Sequence, residues 1–151
     1  WIKMSSRLPH PFMLPDLVHR NASVVFLAAQ QTPDISLEVF DVKKMDGNLH
    51  RVRIRLINSS GLPSMTAYAA REKLYPPDIL KVTGGKVIAG GKIEDVRRDK
   101  VTYKDKKPEI QYLSIPGYDK TEYQFLIEGK GEITFSYEYR KAKNVIMSVQ
   151  L

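Results

Sequence analysis

The sequence predicts a mainly β protein: an antiparallel immunoglobulin- or fibronectin-like β-sandwich preceded by an N-terminal α-helix. Three observations carry that expectation. Beyond Pro33, run after run alternates apolar with polar residues; Gly, Pro, Asn and Asp punctuate those runs; and the one long stretch with helical spacing precedes them. The division expected is therefore a loop and helix over residues 1–33 and a sandwich over 34–151. A chain of 151 residues accommodates one domain plus a fragment of another.

Residues 1–13, rich in Pro and Ser, predict irregular chain. From Pro15 to Gln31 the pattern turns helical, with Pro15 suited to a first turn and Asp16 to the positive end of the helix dipole. Leu14, Val18, Ala22, Val25 and Ala29 recur at spacings of three and four, and Leu17, Val24 and Leu27 widen the stripe nearly to a full wrap. A helix so apolar needs cover on more than one side. Either the sandwich or a second copy of the chain is expected to supply it. Thr32-Pro33-Asp34 ends the helix.

Strands follow. Ile35 to Val42 is the first, and Leu49 to Asn58 the clearest, with Val52, Ile54 and Leu56 alternating against Arg51, Arg53 and Arg55. Met45-Asp46-Gly47-Asn48 between them has hairpin turn chemistry. Asn58 to Pro63 reads as a loop, and Met65 to Leu74 as a short Ala-rich helix stopped by Pro76-Pro77. Two short strands are expected around Gly84-Gly85 and Gly90-Gly91, and a charged connector over 97–108. Ile110–Ile115, Glu122–Glu128 and Glu132–Tyr139 predict three more strands. Tyr123, Phe125 and Ile127 share one face, as do Ile133, Phe135, Tyr137 and Tyr139. Val145, Met147, Val149 and Leu151 close the chain with another alternation.

Composition limits the chemistry. No cysteine occurs, which removes disulfides, thiol catalysis and Cys-based metal sites. Three histidines, His10, His19 and His50, lack the spacing that sets two imidazoles on one helix face, and surface or capping roles are expected for each. Glu94-Asp95 and the glutamates of the last strands read as salt-bridge or solubility residues rather than an acid/base pair. Gly-x-Ser-x-Gly is absent, so serine hydrolase chemistry has no support. The longest apolar run, Val24 to Ala29, is too short to span a bilayer.

The net charge of +7 comes from scattered lysines and arginines. The basic segment 97–107 with Tyr103 is interrupted by Asp99 and Asp105 and accompanies no nucleic-acid motif, so a solvated loop is the simpler reading. The sharpest polar signal is Arg51, Arg53 and Arg55. Period two sets three guanidinium groups on one side of a strand. They either pair with acidic neighbours such as Glu38 or form an array that grips carboxylates and phosphates or docks another domain.

The segment from Pro9 to Asn58 carries a family resemblance. Trp1, then Leu8-Pro9-His10-Pro11 leading into a helix with His19-Arg20-Asn21-Ala22, resembles the end of the catalytic domain in bacterial zinc carboxypeptidases of the carboxypeptidase A-like family. Thr32-Pro33-Asp34-Ile35 resembles their crossing into a C-terminal extra domain. Leu49 to Ser64 is similar to the stretch that opens its β-sandwich, including Asn58, Gly61, Leu62 and Pro63.

The resemblance implies a non-catalytic accessory domain that packs against or positions an upstream catalytic domain and shapes substrate access, in a secreted or periplasmic protein. Zinc would belong only to that upstream domain; no cofactor is expected in 1–151. No His-x-x-Glu occurs, so no zinc ligand or catalytic residue is carried over. The interdomain contacts expected are Arg51, Arg53, Arg55, Leu62, Pro63 and the helix residues Leu14, Val18 and Val25. Self-association through the helix is a second expectation, with no nucleic acid and no membrane span. A glycan- or cell-surface-polymer-binding module is the alternative; it requires an exposed aromatic platform.

Overall fold

A computed structural model describes residues 10–141 and 143–151. Trp1, Leu8 and Pro9, and most of the irregular segment expected over 1–13, lie outside the described residues. The chain divides into two compact units, Trp1–Thr32 and Pro33–Leu151. The boundary falls at Thr32-Pro33, where the sequence ends the helix.

In the first unit a 3-10 turn, Pro11–Met13, leads into helix α1, Leu14–Gln30. Pro15 occupies its first turn and Asp16 pairs with Arg20 one turn on at 2.9 Å. None of its residues is buried; Val24, Val25, Phe26 and Leu27 are all exposed.

The second unit is a sandwich of nine strands. They are β1 (Ile35–Lys44), β2 (Leu49–Asn58), β3 (Asp78–Thr83), β4 (Lys86–Asp95), β5 (Lys100–Tyr103), β6 (Ile110–Leu113), β7 (Lys120–Glu128), β8 (Glu132–Glu138) and β9 (Val145–Gln150). One sheet has the order β1-β2-β7-β4-β5 and the other β6-β3-β8-β9, with every pairing antiparallel. Relabelled as A, B, E, D and C, F, G, the strands β1-β2-β7-β4 and β3-β8-β9 follow the immunoglobulin constant-type order. Strands β5 and β6 are additions between D and E, one to each sheet. The predicted sandwich class is the observed one.

The core lies between the sheets. Val52, Ile54 and Leu56 of β2 and Tyr123, Phe125 and Ile127 of β7 face Leu80 and Val82 of β3 and Ile133, Phe135 and Tyr137 of β8. Phe125 and Phe135 meet across the gap at 5.8 Å between ring centroids, in a tilted geometry that suits aromatic quadrupoles. The alternation read from the sequence is the burial alternation in β3, β8 and β9, whereas β7 is buried continuously from Thr121 to Phe125.

Several sequence expectations need correction. Gly90 and Gly91 do not separate strands but lie inside β4. A side chain on Gly90 would meet the Pro108 carbonyl and the Phe125 ring, and one on Gly91 the backbone of Thr102 and Tyr103. Close approach, not turning, requires these glycines. The charged connector over 97–108 contains β5, which pairs with β4 through Val101 and Ile93. The helix expected over 65–74 is only α2, Ala67–Arg71. Thr66 caps it by accepting from the Ala69 amide at 3.2 Å, and Lys73 (φ +49) turns the chain out of it. His50 has no surface role: it is buried at the inward start of β2.

Candidate functional site

Two regions concentrate polar or apolar groups beyond what the core requires: the outer face of the first sheet, and the pole where the chain enters the sandwich at Pro33.

On the outer face, β2 presents the three arginines. A register shift between Val39 and Asp41 leaves Phe40 without a partner on β2. This bulge brings Phe40 and Asp41 onto the arginine side together. Arg51 donates to Asp41 at 2.8 Å. Arg53 donates to Gln124 of β7 at 2.7 Å and pairs with Asp99 of the β4–β5 turn. Arg55 donates to Glu122 of β7 at 2.6 Å and to Glu38 of β1 at 3.0 Å, with its guanidinium 4.6 Å from the centroid of the Phe40 ring. The two carboxylates raise the Arg55 pKa, the Glu122 hydrogen bond most.

Acidic neighbours flanking the strand on three sides thus partner the array. Arg53 is buried, as is Glu122, whose expected salt-bridge role takes the form of the Arg55 pair. Such a face is a pinned sheet surface more than an open anion grip, since its strongest donors already have charged acceptors.

The entry pole is built around Asn58, the last residue of β2. Its Nδ2 donates to the carbonyls of Leu62 at 2.8 Å and Pro116 at 2.9 Å. Its Oδ1 accepts from the amides of Asp34 at 3.3 Å and Ser60 at 3.1 Å. Every donor and acceptor of this buried amide that geometry allows is used. Ser64 adds a second tie, accepting from the Ile115 amide at 2.9 Å. A Cβ on Gly117 would overlap the Gly61 carbonyl, so these two loops pass with backbone against backbone. The segment Asn58 to Ser64 is therefore a structural joint.

Beside that joint lies an apolar groove of about 590 Å³, lined by Met65, Ala70, Lys73, Leu74, Tyr75, Pro76 and Pro77. Tyr75 and the prolines also wall a notch of about 350 Å³ that contains Asp78, Glu138 and Arg140. Asp78 is buried and accepts the Tyr137 hydroxyl at 2.9 Å. Burial and the Asp78 carboxylate push the Tyr137 pKa well above its ordinary value, burial most. Pro76-Pro77, expected only to stop a helix, also walls both cavities. The signal available was Leu74-Tyr75 beyond the end of the helix, apolar residues with no strand to bury them.

Leu62 is exposed and Pro63 half-buried at this same pole; Lys141 donates to the Pro63 carbonyl at 2.9 Å. Leu14, Val18 and Val25 are exposed on α1. The arginine face and the entry pole adjoin at a cavity of about 400 Å³ lined by both Arg55 and Asn58. Tyr123, Tyr137 and Tyr139 are buried, whereas Tyr103, Tyr112 and Tyr118 are exposed. No group of three or more His, Cys, Asp and Glu is placed to hold a metal ion among the described residues. No described helix is long and apolar enough to cross a membrane.

These features define a β-sandwich module of immunoglobulin-like strand order. The chain belongs to the family described as Domain of unknown function (DUF8731), whose profile matches residues 34–150. The matched span coincides with the sandwich unit and leaves α1 outside. No curated protein matches the chain. Among solved structures it is similar to a conjugative transposon lipoprotein from Bacteroides eggerthii DSM 20697, with 9% identity, a TM-score of 0.38, and coverage of 76% of this chain and 93% of that one. It is also similar to the GH3 beta-glucosidase of Bifidobacterium adolescentis, with 15% identity and a TM-score of 0.36. There it covers 79% of this chain and only 17% of the glucosidase. Likeness at this level carries no functional argument.

Proposed function

We propose that residues 34–151 form a non-catalytic accessory domain, which packs against or positions the catalytic domain of a zinc carboxypeptidase-like protein. The observation that carries this reading is α1. It is a compact unit of its own, lies outside the span that matches the family, and exposes Val18, Val24, Val25, Phe26 and Leu27 on one 17-residue helix. An apolar surface of that extent favours association. Its cover is the catalytic domain, whose end the residues around it resemble. Zinc would reside in the catalytic domain, and a secreted or periplasmic location follows from the resemblance alone.

The test compares the intact parent protein with a form ending at Thr32. Release of C-terminal residues from peptides is measured with and without a chelator, alongside thermal unfolding. The expected result is chelator-sensitive release in the intact protein, and a catalytic domain that melts lower or works more slowly without the sandwich. Absence of chelator-sensitive release would remove the peptidase assignment. Unchanged stability and rate on truncation would remove the accessory role.

A further inference from the structure

We infer that β9 is an intermolecular pairing strand: the sandwich dimerises by antiparallel pairing of β9 with β9 of a second copy of this chain, around a two-fold axis at Ser148. The contact does not depend on the accessory role, and the two stand or fall by separate measurements.

The backbone carries the first argument. β9 ends the second sheet, and β1, at the edge of the first, is paired along its length to β2. Gly131 and Leu151 exchange both amide–carbonyl bonds, at 3.4 and 3.0 Å. That pair sets the phase of the β8–β9 ladder, in which bonded and non-bonded pairs alternate. Val149, Met147 and Val145 therefore bond to β8, while Gln150, Ser148 and Ile146 turn their N–H and C=O groups outward. Among the described residues no other backbone group meets these outward donors and acceptors. A row spaced in this way is a template for another strand.

The sequence of the edges carries the second. β1 is guarded by Glu38, Asp41, Lys43, Lys44 and a bulge, and β5 and β6 are four residues each. Short, charged or bulged edges resist pairing. β9, Val145-Ile146-Met147-Ser148-Val149-Gln150, has no charge, no proline, no glycine and no register shift. Its β-branched Ile146 stands 67% exposed on the outer face. An uncharged strand of high β-propensity is thus left open.

Symmetry selects the occupant. With Ser148 opposite its own copy, Ile146 faces Gln150 of the second copy and Gln150 faces Ile146, so every outward backbone group of both strands is paired. On the inner side Met147 falls opposite Val149 and Val145 opposite Leu151. These apolar pairs extend a row that is only partly buried at this edge. No like charges meet, because the strand has none. Pairing β9 with β1 of another copy would set it against charged residues and a bulge, and head-to-tail contacts of that kind propagate into open filaments. The two-fold contact closes after two copies and joins two four-stranded sheets into one continuous sheet.

The experiment uses the full 151-residue chain, which has no cysteine. Sedimentation velocity is expected to show a dimer. Ile146→Lys, at an exposed side chain, and Ser148→Pro, at an outward N–H, should each give a monomer with an unchanged far-UV circular dichroism spectrum. Ser148→Cys sets a thiol opposite its own copy with about 5.5 Å between Cα atoms, within disulfide reach. Mild oxidation should cross-link most of that variant, whereas Ser36→Cys, exposed on β1, should stay uncross-linked. A monomeric unaltered chain would overturn the inference. A dimer that survives Ile146→Lys would also overturn it, because α1 or another face would then hold the copies together. Cross-linking at Ser36 as complete as at Ser148, or none at Ser148, would overturn the two-fold axis.

Discussion

Asn58 holds Pro116 across the entry pole: its side-chain amide donates to the Pro116 carbonyl at 2.9 Å while also serving Leu62, Asp34 and Ser60. One buried side chain thus joins the start of β1, the loop after β2 and the loop before β7. Replacing Asn58 with Ala leaves two carbonyls and two amides without their partner. Each buried polar group left unsatisfied costs about 1–3 kcal/mol, and a total at the upper end of that range or beyond is expected. Asn58→Asp should also destabilise, because it removes the two donors and sets a carboxylate against two carbonyls. Urea unfolding monitored by far-UV circular dichroism checks both.

The pair of Arg55 and Glu122 spans β2 and β7 at 2.6 Å, with Lys120 also reaching the Glu122 carboxylate at 3.3 Å. Truncating Arg55 leaves a largely buried carboxylate with its weaker partner only. Loss of a hydrogen bond to a charged group corresponds to about 1.5–3 kcal/mol, and the lower half is expected since Arg55 is partly solvated. A double-mutant cycle with Arg55→Ala and Glu122→Gln should give a favourable coupling of about 0.5–3 kcal/mol. Zero coupling would mean that the ion pair follows from the sheet and does nothing to hold it.

The arginines show what a single sequence makes legible and what it does not. Period two placed Arg51, Arg53 and Arg55 on one face, and Glu38 could be named as a partner because β1 and β2 are joined by a short hairpin. Asp99 and Glu122 could not be named. They arrive through the β4–β5 turn and β7, far away in sequence, and only the Greek-key order decides which strands flank β2. Gly90-Gly91 misled for a related reason. A glycine pair in a strand looks like a turn until its neighbour's backbone is in place. The groove was illegible because its walls are side chains from a helix end and a Pro-Pro segment, elements without a period.

Phe125 and Phe135 bridge the two sheets at the centre of the core, and both are fully buried. Phe135→Ala removes the transfer free energy of the ring and leaves a cavity that rigid strands cannot close. A loss of about 3–5 kcal/mol is expected, the range for Phe→Ala in close-packed cores. Phe135→Leu should cost less, since it keeps most of the apolar volume. Equal losses for the two variants would show that the site depends on the aromatic contact rather than on the volume filled. Guanidinium unfolding midpoints with unchanged slopes are the measurement.

Alkaline pH should unfold the sandwich before it affects α1. Burial, with a lesser contribution from Glu94, pushes the Tyr123 hydroxyl up to about 12, and Tyr137 and Tyr139 are raised in the same direction, burial again the largest cause. A tyrosine raised in the folded state holds its proton where the unfolded chain has lost it. The unfolded state then binds fewer protons than the folded one, so stability falls as pH rises. The contribution is fully present below about pH 10, the ordinary tyrosine value, and is lost as pH climbs toward 12 and beyond. Tyr123→Phe removes one of these protons and should flatten the fall between pH 10 and 12 with little change at neutrality. Chemical denaturation at fixed pH steps, with tyrosinate absorbance followed in parallel, separates the outcomes. Tyrosines that titrate together near pH 10 in the folded protein would mean that the core admits water at this end, and the predicted slope would vanish.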